Sequence, residues 1–292
     1  MPLIEVNGAA IHVHVTGKGI PILCIHPPLL TAETFNYQKA QLSDEFQIVT
    51  FDIRGHGYSK ASKQSITYPL IVEDIKQLMK ILGMDKAYLC GYSTGGSIVL
   101  EALLTYPDLF LGGIVVSGMS EVRDWYNKSR IWLASQLSAA KATRMLLNAA
   151  VSSGNADMRF TFNNLYASAQ LGIAQHIHEY YTYSLGYNCT RRLPYIQHPM
   201  LLIYGQKDKV FHPYAHLLHH KLPNSSLYFL KDAKHQVVIK QASRMNDLVR
   251  LWIASLGNSK KTRNELDLEI AHKMNPIIDM YKENEESSLP HR

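Results

Sequence analysis

The chain has 292 residues, 46% of them hydrophobic and 18% charged, a balance that supports a sizeable buried core and excludes wholesale disorder. Its formal charge of +6 is spread thin, with no basic run longer than Arg191-Arg192 or Lys260-Lys261, so a nucleic-acid partner, which needs a basic stripe, is not expected. Cys24, Cys90 and Cys189 form no C-x-x-C pair, the N-terminus alternates like a strand instead of carrying a signal peptide, and no apolar run approaches a membrane span of roughly 18 residues. The expectation is a soluble, cytoplasmic protein with no membrane partner.

In chain order, Leu3–Val6 and Ile11–Val15 flank Asn7-Gly8, a turn signal that predicts an opening β-hairpin. Ile20–Ile25 is a short continuous apolar run, the pattern of a strand buried on both faces. Phe46–Phe51, Ala87–Cys90, Gly113–Val116, Met200–Tyr204 and Ser226–Leu230 continue the series. Between them lie helical patterns: Leu70–Leu82 with Gly83 at the C-cap, Ser97–Thr105 ending before Pro107, and Asp247–Leu256. Strands alternating with helices predict an α/β fold built on a mostly parallel, eight-stranded sheet with helices on both faces.

Between Ser117 and Pro194 no strand pattern occurs, and helical periodicity runs through Trp125–Ala150 and Met158–Leu185. The expected organisation is therefore a core of residues 1–118 and 195–257 carrying a helical lid, residues 119–194. Residues 258–292 turn charged and read as a tail. Ile270, Met274 and Ile277 would stripe a short helix there, packing on the body or on a second copy in a homodimer; the alternative is a loosely docked end.

The strongest chemical signal is Cys90-Gly91-Tyr92-Ser93-Thr94-Gly95-Gly96. It holds G-x-S-x-G between an apolar strand and a helix, the context in which a tight turn projects a serine hydroxyl off the backbone. A serine is a poor nucleophile unless a base takes its proton and an acid orients the base. Asp208, just past the Met200–Tyr204 strand, and His235, just past Ser226–Leu230, supply acid and base in chain order, 27 residues apart. Asp232 is a rival acid but reads as a turn former.

Together, Phe51-Asp52-Ile53-Arg54-Gly55-His56-Gly57-Tyr58-Ser59, the Gly91–Gly95 turn, Gly205-x-x-Asp208 and the late His235 resemble the α/β-hydrolase superfamily, in its lidded esterase, lactonase and C–C hydrolase branch. The resemblance covers about residues 1–256 apart from the lid. It implies an α/β-hydrolase fold, a Ser93–Asp208–His235 triad, and a bracing turn over Asp52–Ser59 in which Asp52, Arg54 and His56 are architectural. It also implies two backbone N–H donors for the oxyanion. One is Thr94. The other belongs to the loop after the third strand, where relatives donate from the second residue after the histidine. Here that position is Pro28, which has no N–H, so either the donor shifts to Leu29, the favoured expectation, or the hole is short of one bond; His26 is expected to pin the loop. Epoxide hydrolase or dehalogenase chemistry is not expected, since those enzymes need a carboxylate where Ser93 stands.

The implied activity is hydrolysis of a small carboxylic ester, lactone or thioester. C–C hydrolysis or acyl transfer on the same triad, and a slow-turnover ligand sensor, remain alternatives. Residues 120–195 hold eleven aromatics and eight basic against four acidic residues. Tyr92, Trp125, Trp132, Phe162 and Tyr166 are the candidate pocket, and the positive surplus hints at an anionic substrate. His216, His219 and His220 share a helical face, but no acidic set accompanies them; no metal is expected, and no nucleotide motif implies a cofactor.

Overall fold

The computed structural model describes residues 3–257, 262–274 and 278–280. The hairpin β1 (Leu3–Val6) and β2 (Ala9–Thr16) leads into β3 (Ile20–Ile25), α1 (Asn36–Leu42), β4 (Phe46–Phe51), α2 (Tyr68–Ile81), β5 (Ala87–Tyr92), α3 (Thr94–Thr105) and β6 (Phe110–Val116). Four helices follow before the next strand: α4 (Trp125–Ser138), α5 (Lys141–Asn155), α6 (Arg159–Gln170) and α7 (Ala174–Gly186). The chain then re-enters the sheet through β7 (Met200–Gly205), α8 (His212–Lys221), β8 (Ser225–Leu230), α9 (Val237–Lys240) and α10 (Ala242–Leu256), and ends on α11 (Arg263–Lys273) and β9 (Ile278–Met280).

Among the described residues the strands form one sheet in the order β1-β2-β4-β3-β5-β6-β7-β8-β9, parallel from β4 to β8 and antiparallel at both ends. Eight of these strands are those read from the sequence. The ninth comes from the segment set apart as a tail. Its helix α11 opens on a capping box in which Thr262 and Glu265 satisfy each other's orphan N–H groups, and Leu266, Ile270 and Met274 are buried. Ile277, the third member of the expected stripe, lies outside the described residues.

The strands are apolar on both faces because both faces are covered. Leu23, Val49, Leu89, Val115 and Leu202 pack with α2, α3 and α8, while Ile22, Ile48, Cys90, Ile114 and Leu201 pack with α9, α10 and α11. Consecutive strand residues thus enter opposite layers, as the two-residue pleat requires. From β3 the chain builds outward to β4 on one side and later to β5 on the other. That reversal opens a crevice at the carboxyl ends of β3 and β5, the place where open parallel sheets bind ligands.

The turn after β4 is fixed by a buried ion pair. Arg54, 1% exposed, donates from Nε and Nη2 to the two carboxylate oxygens of Asp74 at 2.5 and 2.6 Å, and from Nη2 to the Asn7 carbonyl at 2.7 Å. This joins the hairpin, the turn and α2. Removing the acid alone strands a buried guanidinium, so Asp74→Ala should lower unfolding free energy by about 3–5 kcal/mol in urea titration; a loss below about 1 kcal/mol contradicts this account.

Candidate active site

Ser93 sits between β5 and α3 at φ 54° and ψ −122°, a region that costs a non-glycine residue on the order of 1–3 kcal/mol. The neighbouring glycines are what permit it. A Cβ on Gly91 would stand 2.3 Å from the Gly95 carbonyl oxygen, and one on Gly95 would stand 2.2 Å from the Ile25 carbonyl oxygen. Only bare backbone lets the turn close on itself and lie against β3. The Ser93 N–H is tied to the Val116 carbonyl at 2.8 Å, so the residue cannot relax without leaving the sheet.

Asp208 and His235 reach the same edge from β7 and β8. The Lys207 N–H donates to the Ala233 carbonyl at 2.7 Å, locking the two post-strand turns together. Gly205 makes this possible, because a Cβ there would meet the Lys234 carbonyl oxygen at 2.3 Å. His235 Nδ1 lies 2.8 Å from Asp208 Oδ2 and Nε2 lies 3.3 Å from Ser93 Oγ. With Asp208 accepting the Nδ1 proton, Nε2 presents a lone pair to the serine hydroxyl. Phe211 packs on the imidazole with ring centroids 4.3 Å apart. The Ser117 hydroxyl donates to the His235 carbonyl at 3.1 Å, a support that no sequence signal singled out. Asp232 lies elsewhere: it is exposed, at φ 61°, and pairs with Lys207 at 2.6 Å.

The loop after β3 is pinned from below. His26 accepts the Ile53 N–H on Nε2 at 2.9 Å and donates from Nδ1 to the Pro27 carbonyl at 2.9 Å. Asp52 accepts the Ala32 and Tyr58 N–H groups at 2.8 and 3.0 Å and His12 Nδ1 at 2.9 Å. Beyond Pro27-Pro28 the backbone turns left-handed at Leu29, φ 70°. The Leu29 side chain packs against Ile177 and Tyr181. Its N–H, like that of Thr94 at the start of α3, has no hydrogen-bond acceptor among the described residues.

A cavity of about 420 Å³ opens above Ser93, walled by this loop, the serine turn and the inserted helices. Of the five pocket residues expected from the sequence, Tyr92 lines it, with its hydroxyl donating to Asn155 Oδ1 at 3.0 Å. The other four do not. Trp125 and Trp132 are 80% and 54% exposed: the face of α4 turned to the cavity carries Asn127 and Ala134, and two residues along a helix is about 200° of rotation. Phe162 and Tyr166 stack on each other at 5.6 Å, Phe162 lining a separate depression. Aromatic content marked the segment but could not give its helical phase.

Among the described residues no cluster of His, Cys, Asp and Glu is arranged to hold a metal; His219 instead bonds Ser225 Oγ at 2.9 Å. His176 is likewise engaged, accepting the Ser62 N–H at 3.0 Å and facing Glu179 at 3.1 Å. No helix among them is long and apolar enough to cross a membrane.

With this geometry in view, the comparisons with known proteins decide the family. The model of the α/β-hydrolase fold matches residues 21–242. The chain belongs to that family. Human serine hydrolase BPHL is 26% identical over 254 residues, covering 84% of this chain and 83% of its own. Two solved structures share the fold: an esterase from Exiguobacterium antarcticum (TM-score 0.78, 19% identity, 87% of this chain and 99% of that one) and an enol-lactonase from Burkholderia xenovorans (TM-score 0.75, 18% identity, 87% and 100%).

Burial also sets the acid limit of this α/β hydrolase. It pushes the His26 pKa below the usual 6.5 and that of His56 down to about 3, and His56 Nε2 is buried with no acceptor to receive from it. Both imidazoles are therefore neutral in the fold and basic once unfolded. Because the folded values are the depressed ones, their contribution is complete above about pH 6.5 and fades below it, by up to about 1.4 kcal/mol per pH unit for each. Urea midpoints measured from pH 8 to 5 should fall below pH ~6.5, and His56→Gln should flatten the fall. An equally steep decline in the variant contradicts the assignment.

Proposed function

We propose that the protein is a serine hydrolase acting on a small carboxylic ester, lactone or thioester through an acyl-enzyme. The observation that carries this reading is the chain of contacts from Asp208 Oδ2 through His235 to Ser93 Oγ, 2.8 and 3.3 Å long, at the floor of a largely apolar cavity. A base in reach of a hydroxyl and itself held by a carboxylate is the arrangement that nucleophilic acyl transfer requires.

In the proposed reaction Ser93 Oγ adds to the carbonyl carbon as its proton passes to His235 Nε2. Asp208 holds the ring and stabilises the imidazolium. The oxyanion is received by the N–H groups of Thr94 and Leu29, both without an acceptor among the described residues and the first at a helix N-terminus, where negative charge is favoured. Collapse breaks the bond to the leaving oxygen or sulfur, which takes the proton from His235. Water then gives a proton to the same nitrogen, adds to the acyl carbon and releases the acid with Ser93 restored. Helices α4 to α7 act as the lid. The human relative's name and the esterase and enol-lactonase folds support this class of chemistry.

Ser93→Ala and His235→Ala should each lower kcat for p-nitrophenyl butyrate on the order of 10³–10⁶-fold, and Asp208→Asn on the order of 10⁴-fold. Either alanine variant keeping more than a tenth of the wild-type rate would remove its residue from the mechanism.

A further inference from the structure

The residues of α4 that line the cavity are Asn127, Arg130, Ile131, Leu133, Ala134 and Leu137, spaced as one side of a helix, with Arg130 and Leu133 also exposed to solvent. All but two of these are apolar, and the wall they share with α5 and α7 is chiefly aliphatic. Its amides are already engaged. Asn127 Nδ2 donates to Asp124 at 3.0 Å, while Asn155 accepts from Tyr92 and donates to the Val151 carbonyl at 2.9 Å.

Two polar groups remain on this side of the cavity with no hydrogen-bond partner among the described residues, the Arg130 guanidinium and the Tyr181 hydroxyl. No carboxylate neutralises Arg130 there. Its guanidinium carbon lies 5.2 Å from the centre of the Tyr126 ring, a cation–π contact that leaves its N–H groups free to donate. Arg130, Tyr181 and Tyr92, the residue next to the serine, line the same cavity as Ser93. Burial holds the Tyr181 phenol protonated far above neutrality, which keeps it a donor.

We propose that Arg130 and Tyr181 form a carboxylate site, and that the substrate of Ser93 is an acid as well as an ester: a half-ester or carboxylated lactone whose free carboxylate docks on the lid wall while its scissile carbonyl meets the serine. The proposal rests on the hydrolase reading above and adds its substrate class. A guanidinium offers two parallel N–H donors to a carboxylate, and the Tyr181 O–H supplies a third. A neutral acyl chain would use the apolar walls but leave both donors empty. The surplus of basic over acidic residues in 120–195, eight against four, has the sign that attracts anions.

The test compares monoethyl succinate, glutarate and adipate with ethyl butyrate, valerate and hexanoate, following ethanol release. At least one half-ester should exceed its neutral counterpart tenfold or more in kcat/KM. Arg130→Gln should raise KM for that half-ester about 10- to 100-fold and leave the neutral ester within twofold, Arg130→Lys should keep part of the preference, and Tyr181→Phe should lose several-fold of it. Equal handling of the two series by the wild type, or equal losses on both in Arg130→Gln, overturns the carboxylate site while leaving the hydrolase reading in place. Failure of the wild type to turn over either series overturns the carboxylate site, and the hydrolase reading falls with it if Ser93 also resists a fluorophosphonate.

Discussion

The left-handed conformation of Ser93 is the constraint on which the other site geometry rests. A serine at φ 54° is held there by a strand on one side, a helix on the other, and two glycines at which any side chain would collide with neighbouring backbone. The same closure that strains the residue lifts its hydroxyl clear of the sheet and leaves the first N–H groups of α3 pointing past it. Strain, a hydroxyl lifted off the sheet and a helix N-terminus behind it are thus one geometric fact. Reversing it would break the hydrogen bond from the Ser93 N–H to Val116, a bond just past the β5–β6 pairing.

Around this turn the protein spends buried polar groups on holding loops still. None of His26, Asp52 and Arg54 lines the cavity above Ser93; they fix the loop after β3 and the turn after β4 through backbone N–H and carbonyl groups. Each is buried and satisfied, which is the condition under which such groups rigidify a structure instead of weakening it. The consequence reaches the site through Leu29, whose amide position depends on the two prolines before it and the pinned histidine before them.

Much of this was legible in the residues because it is dictated locally. Gly91 and Gly95 flanking Ser93, Gly205 three residues before Asp208, and the short apolar strands preceding each can be read without coordinates, since sterics at one turn leave few residue choices. The lining of the cavity was not legible. On α4 the two tryptophans, Trp125 and Trp132, are exposed, while the cavity side is made of the smaller Ile131, Ala134 and Leu137 together with the exposed Arg130, so aromatic size does not mark the inner face that apolar spacing would give. Ser117 carries no signal because it holds His235 through a backbone carbonyl, a contact available to many residue types. Strand β9 is three residues long and joins β8 across a gap of about fifty positions, which no local pattern encodes.

The organisation that results is a sheet edge that brings together three side chains from the ends of three strands, and a helical insertion that walls the cavity above them. On the proposed reading the first part determines what reaction can occur and the second what enters. The most direct measurement of the first is reaction with a fluorophosphonate followed by peptide mapping. The account predicts a single adduct per chain, on Ser93, formed by the wild type and lost in His235→Ala. An adduct on any other residue, or labelling of Ser93 at an undiminished rate without His235, would contradict it.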